Sequence, residues 1–420
     1  MKHFFYHTTI TGLAILMAFL QRPATAEEMS SAVPLELEKP SYATPWNRYK
    51  RWKKTDWKNY NNLRHEVPSP ISKPQNVETP IKGNPENGKK LVADRKRGGS
   101  CLACHILPEA ILPGNVGFDL SMIGAWGRSD ERLFNYIYDA RQFNPVTVMP
   151  PWGAHNIFTK DEIKDIVAYL QTLTKPVNFD LHNDNNPAAR HEPTETRDNL
   201  DPFENPSMFS VDLGEELFAT AGPTGKSCQS CHAQDIPKNK KKFTTWAATM
   251  PKFETRLNKI IGIEEFVTRH ALATTGAEYL SQSEKNIALA IYLRYLANGQ
   301  AIAISKSDAN TQAAIKRGNA LMKRKIGQLN LACLDCHGIS ANRWIRGQYL
   351  ASTSGMYDHF PTYRTSRGEI WDIRKRFQWC NVSIRANELP PDAPEYGDLE
   401  IYLATLLNLD RILSVPGIRH

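Results

Sequence analysis

The sequence predicts an all-α fold built of three tandem units with loop-rich connections, and three observations carry that prediction. Cys-x-x-Cys-His occurs three times, at Cys101/Cys104/His105, Cys228/Cys231/His232 and Cys333/Cys336/His337. Each copy stands between a glycine-led stretch and, about sixty residues further on, an amphipathic segment, so the chain repeats internally. The glycine-led stretches are Gly88-Lys89-Lys90-Leu91, Gly214-Glu215-Glu216-Leu217 and Gly318-Asn319-Ala320-Leu321. The later segments share a Tyr-Leu-x-x-Leu core, at Tyr169 to Leu173, Tyr292 to Leu296 and Tyr402 to Leu406. Signals for strands are sparse.

Residues 1–26 read as an export signal: Lys2, an apolar run from Gly12 to Leu20, then Ala24-Thr25-Ala26 as a small-residue cleavage site. The run is too short to remain as a membrane-spanning helix, and nothing further on is apolar and long enough to be one. A periplasmic protein of 394 residues is expected, with the formal charge falling from +8 to +6 because Lys2 and Arg22 leave and no acid does. The molecule that remains is mildly basic, with no call for nucleic acid. A chain of this length exceeds what one hydrophobic core usually organises.

Residues 27–80 form an N-terminal extension, basic and aromatic from Pro45 to Tyr60. Interleaved tryptophans and cations there suit either a partner or, better, an arm packed on the domains behind it. The first unit spans 81–176, the second 207–302 and the third 303–420. Residues 177–206, with Asn183, Asn185, Asn186, Pro187, Pro193 and Pro202, read as a polar linker between the first two. In the last helix of the first unit Ile163, Ile166, Val167, Leu170 and Leu173 follow helical spacing, and Asp161 and Ser283 lie where helix caps are expected.

The three motifs consume six of the seven cysteines. Two thiols three residues apart can add to the two vinyl groups of one porphyrin while the adjacent imidazole binds the iron, the attachment signature of c-type haem. Structural zinc or disulfides also use closely spaced cysteines. Neither calls for a histidine directly after the second cysteine in all three copies. Three covalently bound haem c groups are therefore expected, with Cys101, Cys104, Cys228, Cys231, Cys333 and Cys336 as attachment points and His105, His232 and His337 as proximal ligands.

The repeat supplies a register for the distal ligands. Met149 lies 20 residues before Tyr169, His270 lies 22 before Tyr292, and Cys380 lies 22 before Tyr402. Pro251 and Pro361 each stand 19 residues ahead of His270 and Cys380. Met149, stiffened by Pro150 and Pro151, is preferred to Met122, and a His/Met iron has a raised potential. His270 is preferred to Met250, which aligns with Phe360. Cys380 is the odd cysteine: an intermolecular disulfide, an inert buried thiol or a reactive group. Arg374, Arg376 and Arg385 surround it in sequence, and Arg376, one helical turn earlier, is the best placed to share its site.

A helix, a haem motif, a ligand loop and a closing helix resemble the small c-type cytochrome fold. More specifically, the chain resembles the SoxXA cytochromes of the periplasmic thiosulfate-oxidising Sox system. Residues 83–175 look like the monohaem SoxX subunit, through Cys101-Leu102-Ala103-Cys104-His105, Pro113-Gly114-Asn115-Val116-Gly117 and Ala140 to Pro145 running into Thr147 to Pro151. Residues 207–412 look like the dihaem SoxA subunit, through Phe360-Pro361-Thr362-Tyr363-Arg364, Arg376-Phe377-Gln378-Trp379-Cys380-Asn381, Glu395-Tyr396 and Leu399-Glu400. The resemblance implies that Cys380 is the distal ligand of an active-site haem, carried as a cysteine persulfide, with Arg376 beside it for the substrate anion. It implies an L-cysteine S-thiosulfotransferase that joins thiosulfate to a cysteine of the carrier protein SoxYZ and passes two electrons to a small cytochrome c.

Two positions depart from that pattern. His270 stands where dihaem SoxA proteins usually present a cysteine, and Phe118 replaces a proline expected to help support His105. A thiosulfate dehydrogenase forming tetrathionate and a multihaem electron carrier without catalysis are the alternative functions.

Overall fold

The computed structural model describes residues 33–38, 55–97, 100–108, 110–179, 185–193, 199–232, 246–406 and 411–419. The expected export signal and the stretch 45–54 lie outside these residues.

Three helix crossings organise the molecule. Helix α1 (Pro85–Ala93) is started by Asn84, whose side chain accepts from the backbone N–H groups of Glu86 and Asn87. It crosses α3 (Lys160–Gln171). Thr159 and Glu162, rather than Asp161, cap α3 in a reciprocal pair of bonds. Between them lies α2 (Asp130–Asp139), and Phe134, Ile163, Ile166 and Val167 are fully buried where these helices meet. The second crossing pairs α4 (Phe209–Ala219) with α7 (Glu284–Tyr295), which Ser283 caps as expected. The third pairs α8 (Ala309–Lys323) with α10 (Pro394–Thr405). Short helix α5 (Cys228–His232) holds the second haem motif, while α6 (Ile263–Thr275) and α9 (Ile373–Ser383) follow the second and third.

The glycines read as helix openers lie inside their helices, and the crossings explain them. A Cβ on Gly88 would stand 2.1 Å from the Asp165 carbonyl oxygen, one on Gly214 2.3 Å from that of Ala288, and one on Gly318 2.1 Å from that of Asp398. Each would also run into the Cβ of Tyr169, Tyr292 or Tyr402 respectively. Glycine and tyrosine of the sequence repeat are thus the two sides of one backbone-to-backbone contact, made three times.

The expectation of an all-α molecule is corrected by small sheets. Antiparallel β1 (Lys252–Glu254) and β2 (Lys259–Ile261) precede α6, and antiparallel β5 (Thr362–Arg364) and β6 (Glu369–Trp371) precede α9 in the same register, with Lys252 opposite Ile261 and Thr362 opposite Trp371. Strand β7 (Gly417–Arg419) adds in parallel to β5. A third ribbon, β3 (Trp344–Ile345) with β4 (Gln348–Tyr349), projects onto the first haem motif: Asn115 N–H donates to the Trp344 carbonyl at 3.0 Å and Arg346 N–H to that of Ala103 at 3.0 Å.

Residues 34–420 form one compact unit, tied together by segments outside the helix pairs. The segment from Thr55 onward is docked: Leu63 is buried in the core around Tyr357 and Tyr396, and Arg64 forms a two-pronged ion pair with Glu395. The described part of the polar linker is also docked. Arg190 donates to the carbonyls of Arg346 and Pro113 and covers the Trp344 ring at 4.9 Å.

Candidate functional site

The first haem motif is a tight turn in which His105 N–H bonds the Cys101 carbonyl at 2.8 Å. The imidazole Nδ1 donates to the Phe118 carbonyl at 2.7 Å, so the bond is made although phenylalanine stands where proline was expected. Gly117 lies flat under the ring: a Cβ there would meet His105 Cε1 at 2.2 Å. With Nδ1 engaged by a carbonyl, Nε2 is the nitrogen left to bind a metal. Burial lowers the pKa of this imidazole below the usual histidine range and keeps it neutral.

The third motif repeats the device. His337 sits in a wide helical turn, Asp335–Ile339, and its Nδ1 donates to the Ala351 carbonyl at 2.8 Å. Burial pushes its pKa down to about 4. In the second motif, on α5, the His232 ring faces that of His270 with centroids 6.3 Å apart. An ion bound to both rings through bonds of about 2 Å fits that gap. His270 is fixed by Phe266, stacked on it at 5.0 Å, and by its Nδ1 donating to the Pro34 carbonyl at 2.8 Å. Pro34 belongs to the N-terminal extension, which Arg269 holds through the carbonyls of Glu36 and Glu38. Met250, the rival ligand, is fully buried, and its carbonyl accepts from the Tyr357 hydroxyl.

The first and third motifs open onto one cavity of about 900 Å³. Its walls carry Cys101, Cys104, His105 and Met149 together with Cys333, Cys336, His337 and Cys380. Met122 is not among the lining residues. Met149 reaches the wall from a loop held by its own N–H on Thr147 Oγ1 and by Lys325 Nζ on the Thr147 carbonyl. Burial pushes the thiols of Cys101, Cys333 and Cys336 up to about 12 and that of Cys104 up to about 11, so each is a neutral thiol in apolar surroundings. All seven cysteines are free, and among the described residues no three His, Cys, Asp or Glu side chains converge as a zinc site requires. Paired thiols, an imidazole with a committed Nδ1 and a large apolar cavity suit a porphyrin attached through both thiols.

The charge of this cavity is one-sided. Arg95, Arg128, Arg132, Arg346, Arg367 and Arg376 line it, and among the described residues no aspartate, glutamate or lysine does. Such a wall attracts anions and favours negative groups inside it. Cys380 and Arg376 project from α9 to the same cavity as His337. Arg374 points elsewhere: fully buried, it donates to Glu400 at 2.8 Å, to Glu265 at 3.0 Å and to the Pro391 carbonyl. Arg385 donates to Gln328 Oε1. Only Arg376, of the three arginines flanking Cys380 in sequence, shares its cavity.

Residues 213–302 match the SoxA/TsdA, cytochrome c domain family, and residues 83–170 match the family described as Cytochrome C oxidase, cbb3-type, subunit III. The L-cysteine S-thiosulfotransferase subunit SoxA of Pseudaminobacter salicylatoxidans is 32% identical over 228 residues, covering 54% of this chain and 77% of the relative. The chain belongs to the SoxXA-type cytochrome family. The SoxA subunit of Paracoccus pantotrophus is 29% identical over 226 residues, covering 53% of this chain and 74% of its own. The crystal structure of SoxXA from P. pantotrophus aligns with 26% identity over 52% of this chain and 80% of that one, at a TM-score of 0.46. As a SoxXA-type cytochrome the chain carries covalently bound haem c, in a helix-rich fold with small sheets.

Proposed function

We propose that this SoxXA-type protein is a periplasmic trihaem enzyme that couples thiosulfate oxidatively to a cysteine of the carrier protein SoxYZ. The relatives named L-cysteine S-thiosulfotransferase subunit SoxA support the reaction type, and the chain is an enzyme of that type. The observation that carries the reading is Cys380, a cysteine outside the haem motifs that shares a cavity with His337 and Arg376.

In this reading each Cys-x-x-Cys-His motif holds one haem c, in three tandem cytochrome units: a SoxX-like unit over 81–176 and two SoxA-like units over 207–302 and 303–420. His105 and Met149 hold one iron, His232 and His270 the second, His337 and Cys380 the third. Cys380, as a thiolate or with an extra sulfur as a persulfide, meets the sulfane sulfur of thiosulfate, and the Arg376 guanidinium neutralises the sulfonate end. Overall, the thiosulfate dianion and a carrier thiol give a Cys-S-S-sulfonate: one S–S bond forms, and one proton and two electrons leave. Haem c, when bound, supplies the one-electron acceptors. The first and third sites open onto one cavity, and in this reading the electrons pass from Cys380 to the His105/Met149 site, the exit to a small cytochrome c.

Purified holoprotein assayed with thiosulfate and oxidised cytochrome c is expected to turn over only when SoxYZ is added. Turnover without the carrier, with tetrathionate as product, supports a dehydrogenase instead, and no turnover under either condition supports a simple electron carrier. Cys380→Ala is expected to abolish carrier-dependent turnover and to remove a thiolate-type low-spin signal from the electron paramagnetic resonance spectrum. Full activity in that variant overturns the reading.

A further inference from the structure

The second and third units contain the same supersecondary piece, a two-stranded ribbon followed by a helix, in one register. His270 and Cys380 are each the eighth residue of their helices, and Lys252 opposite Ile261 corresponds to Thr362 opposite Trp371. Every residue of one piece therefore has a counterpart in the other, which makes the second unit an internal control for the third. Phe266 corresponds to Arg376, Glu254 to Arg364 and Leu257 to Arg367. Where the second unit has an aromatic ring, an acid paired with Arg256 and an aliphatic side chain at these three positions, the third has three arginines.

The geometry around these positions is shared, so the change is one of chemistry. Phe266 stacks 5.0 Å from the His270 ring, and Arg376, at the same helical position four residues before Cys380, lines one cavity with that cysteine. The ribbon turns are built alike: Leu257 N–H donates to the Glu254 carbonyl at 3.2 Å and Arg367 N–H to the Arg364 carbonyl at 2.9 Å. From that turn the Arg367 guanidinium lies 3.9 Å over the ring of Trp379, the neighbour of Cys380, and lines the cavity beside Arg376. Arg364 is buried behind it, near the Trp371 ring. Arg367 is exposed and Arg376 half-buried, so the two cations stand at successive depths on one wall.

We propose that Arg367 is a substrate-positioning residue of the Cys380 site, the outer of two arginines that hold the sulfonate group of a small sulfur oxyanion. This rests on the assignment of Cys380 as the reacting sulfur. A thiosulfate whose sulfane sulfur meets Cys380 must point its sulfonate away from that sulfur, and Arg376 and Arg367 line the cavity around it. Arg367 makes only a binding contact, with no bond broken or formed. Its resting place on the Trp379 face orients the guanidinium while leaving its N–H donors for an anion.

The test is steady-state kinetics of the holoprotein with thiosulfate, SoxYZ and cytochrome c, together with calorimetric titration of thiosulfate into the oxidised holoprotein. Arg367→Gln is expected to raise KM and Kd for thiosulfate about tenfold, the loss of one charge-assisted contact, with kcat changed less than about twofold. Arg367→Lys, which keeps the charge but not the flat fork, is expected to fall between wild type and Arg367→Gln. The haem electron paramagnetic resonance signals are expected to stay unchanged in both. Unchanged KM, a fall in kcat alone, or equal effects of Gln and Lys would overturn the role of Arg367. If Cys380→Ala or Arg376→Gln still abolishes turnover, the reaction assignment survives that failure. A fully active Cys380→Ala removes the assignment itself.

Discussion

At the scale of single residues, haem sites depend on side chains and backbone atoms that present no chemistry of their own. Gly117 is the clearest case, because its missing Cβ is the space that the His105 ring occupies. Gly117→Ala is expected to displace the ring, break its bond to the Phe118 carbonyl and cost about 1–3 kcal/mol in overpacking. The readout is the low-spin signal of the iron proposed to be held by His105 and Met149, which should weaken while the signals of the other proposed haems persist; unchanged signals throughout would show that the ring has room to move. Cys380 and His270 were legible as distal-ligand candidates because each is a metal-binding residue type 22 residues before the closing tyrosine, and Met149 because it stands at a similar offset of 20, ahead of two prolines. The Pro34 carbonyl that orients His270 was not, since any residue offers a carbonyl and this one lies 236 positions away. The role of Arg374 was not legible for a related reason: it is close to Cys380 in sequence, yet its acids Glu265 and Glu400 come from other helices.

At the scale of elements, the helix pairs were legible and the strands were not. Three glycine–tyrosine crossings leave a periodic mark in the sequence, whereas ribbons of two or three residues are shorter than the alternating runs by which strands are recognised. The elements of the second and third units are fastened by a buried charge network that no local pattern announces. Arg374 on α9 reaches Glu265 on α6 and Glu400 on α10, while Lys259 on β2 also pairs with Glu265 at 2.7 Å. Arg374→Met would leave two buried carboxylates without their main partner, and a loss of about 3–5 kcal/mol is expected. Denaturant unfolding of the holoprotein measures it. Because Arg374 does not line the cavity, KM for thiosulfate should stay as in wild type wherever the variant is folded. A destabilisation below 1 kcal/mol would mean that Lys259 and Arg269 satisfy the acids unaided.

At the scale of the whole molecule, the arm and the linker make one body of units that the repeat alone would leave separable, and His155 is a joint in that body. Its Nδ1 donates to the Gln328 carbonyl at 2.7 Å, its Nε2 accepts from the hydroxyl of Ser69 on the arm, and the Tyr60 ring lies 5.1 Å away. Arg141 donates to the same Ser69 oxygen at 2.8 Å and pairs with Asp139. Burial first, and the Arg141 charge next, lower the His155 pKa, opposed by the Gln328 bond and Asp139. A histidine held neutral in the folded state contributes stability above its unfolded pKa of about 6.5 and loses it as pH falls from there toward the folded value. Glu264 acts in the opposite sense: burial raises it to about 7, so its contribution declines as pH rises between the ordinary carboxylate range and neutrality. The two overlap near pH 6, and only a difference between variants separates them. His155→Gln, which keeps polar atoms at the joint but cannot titrate, is expected to unfold at lower temperature than wild type at pH 7.5. Between pH 7.5 and 5.5 its midpoint should then fall by less, or rise, relative to the wild-type change. Parallel midpoints for the two proteins across that range would show that the joint stays closed when His155 is charged, with Ser69 turned to accept its proton.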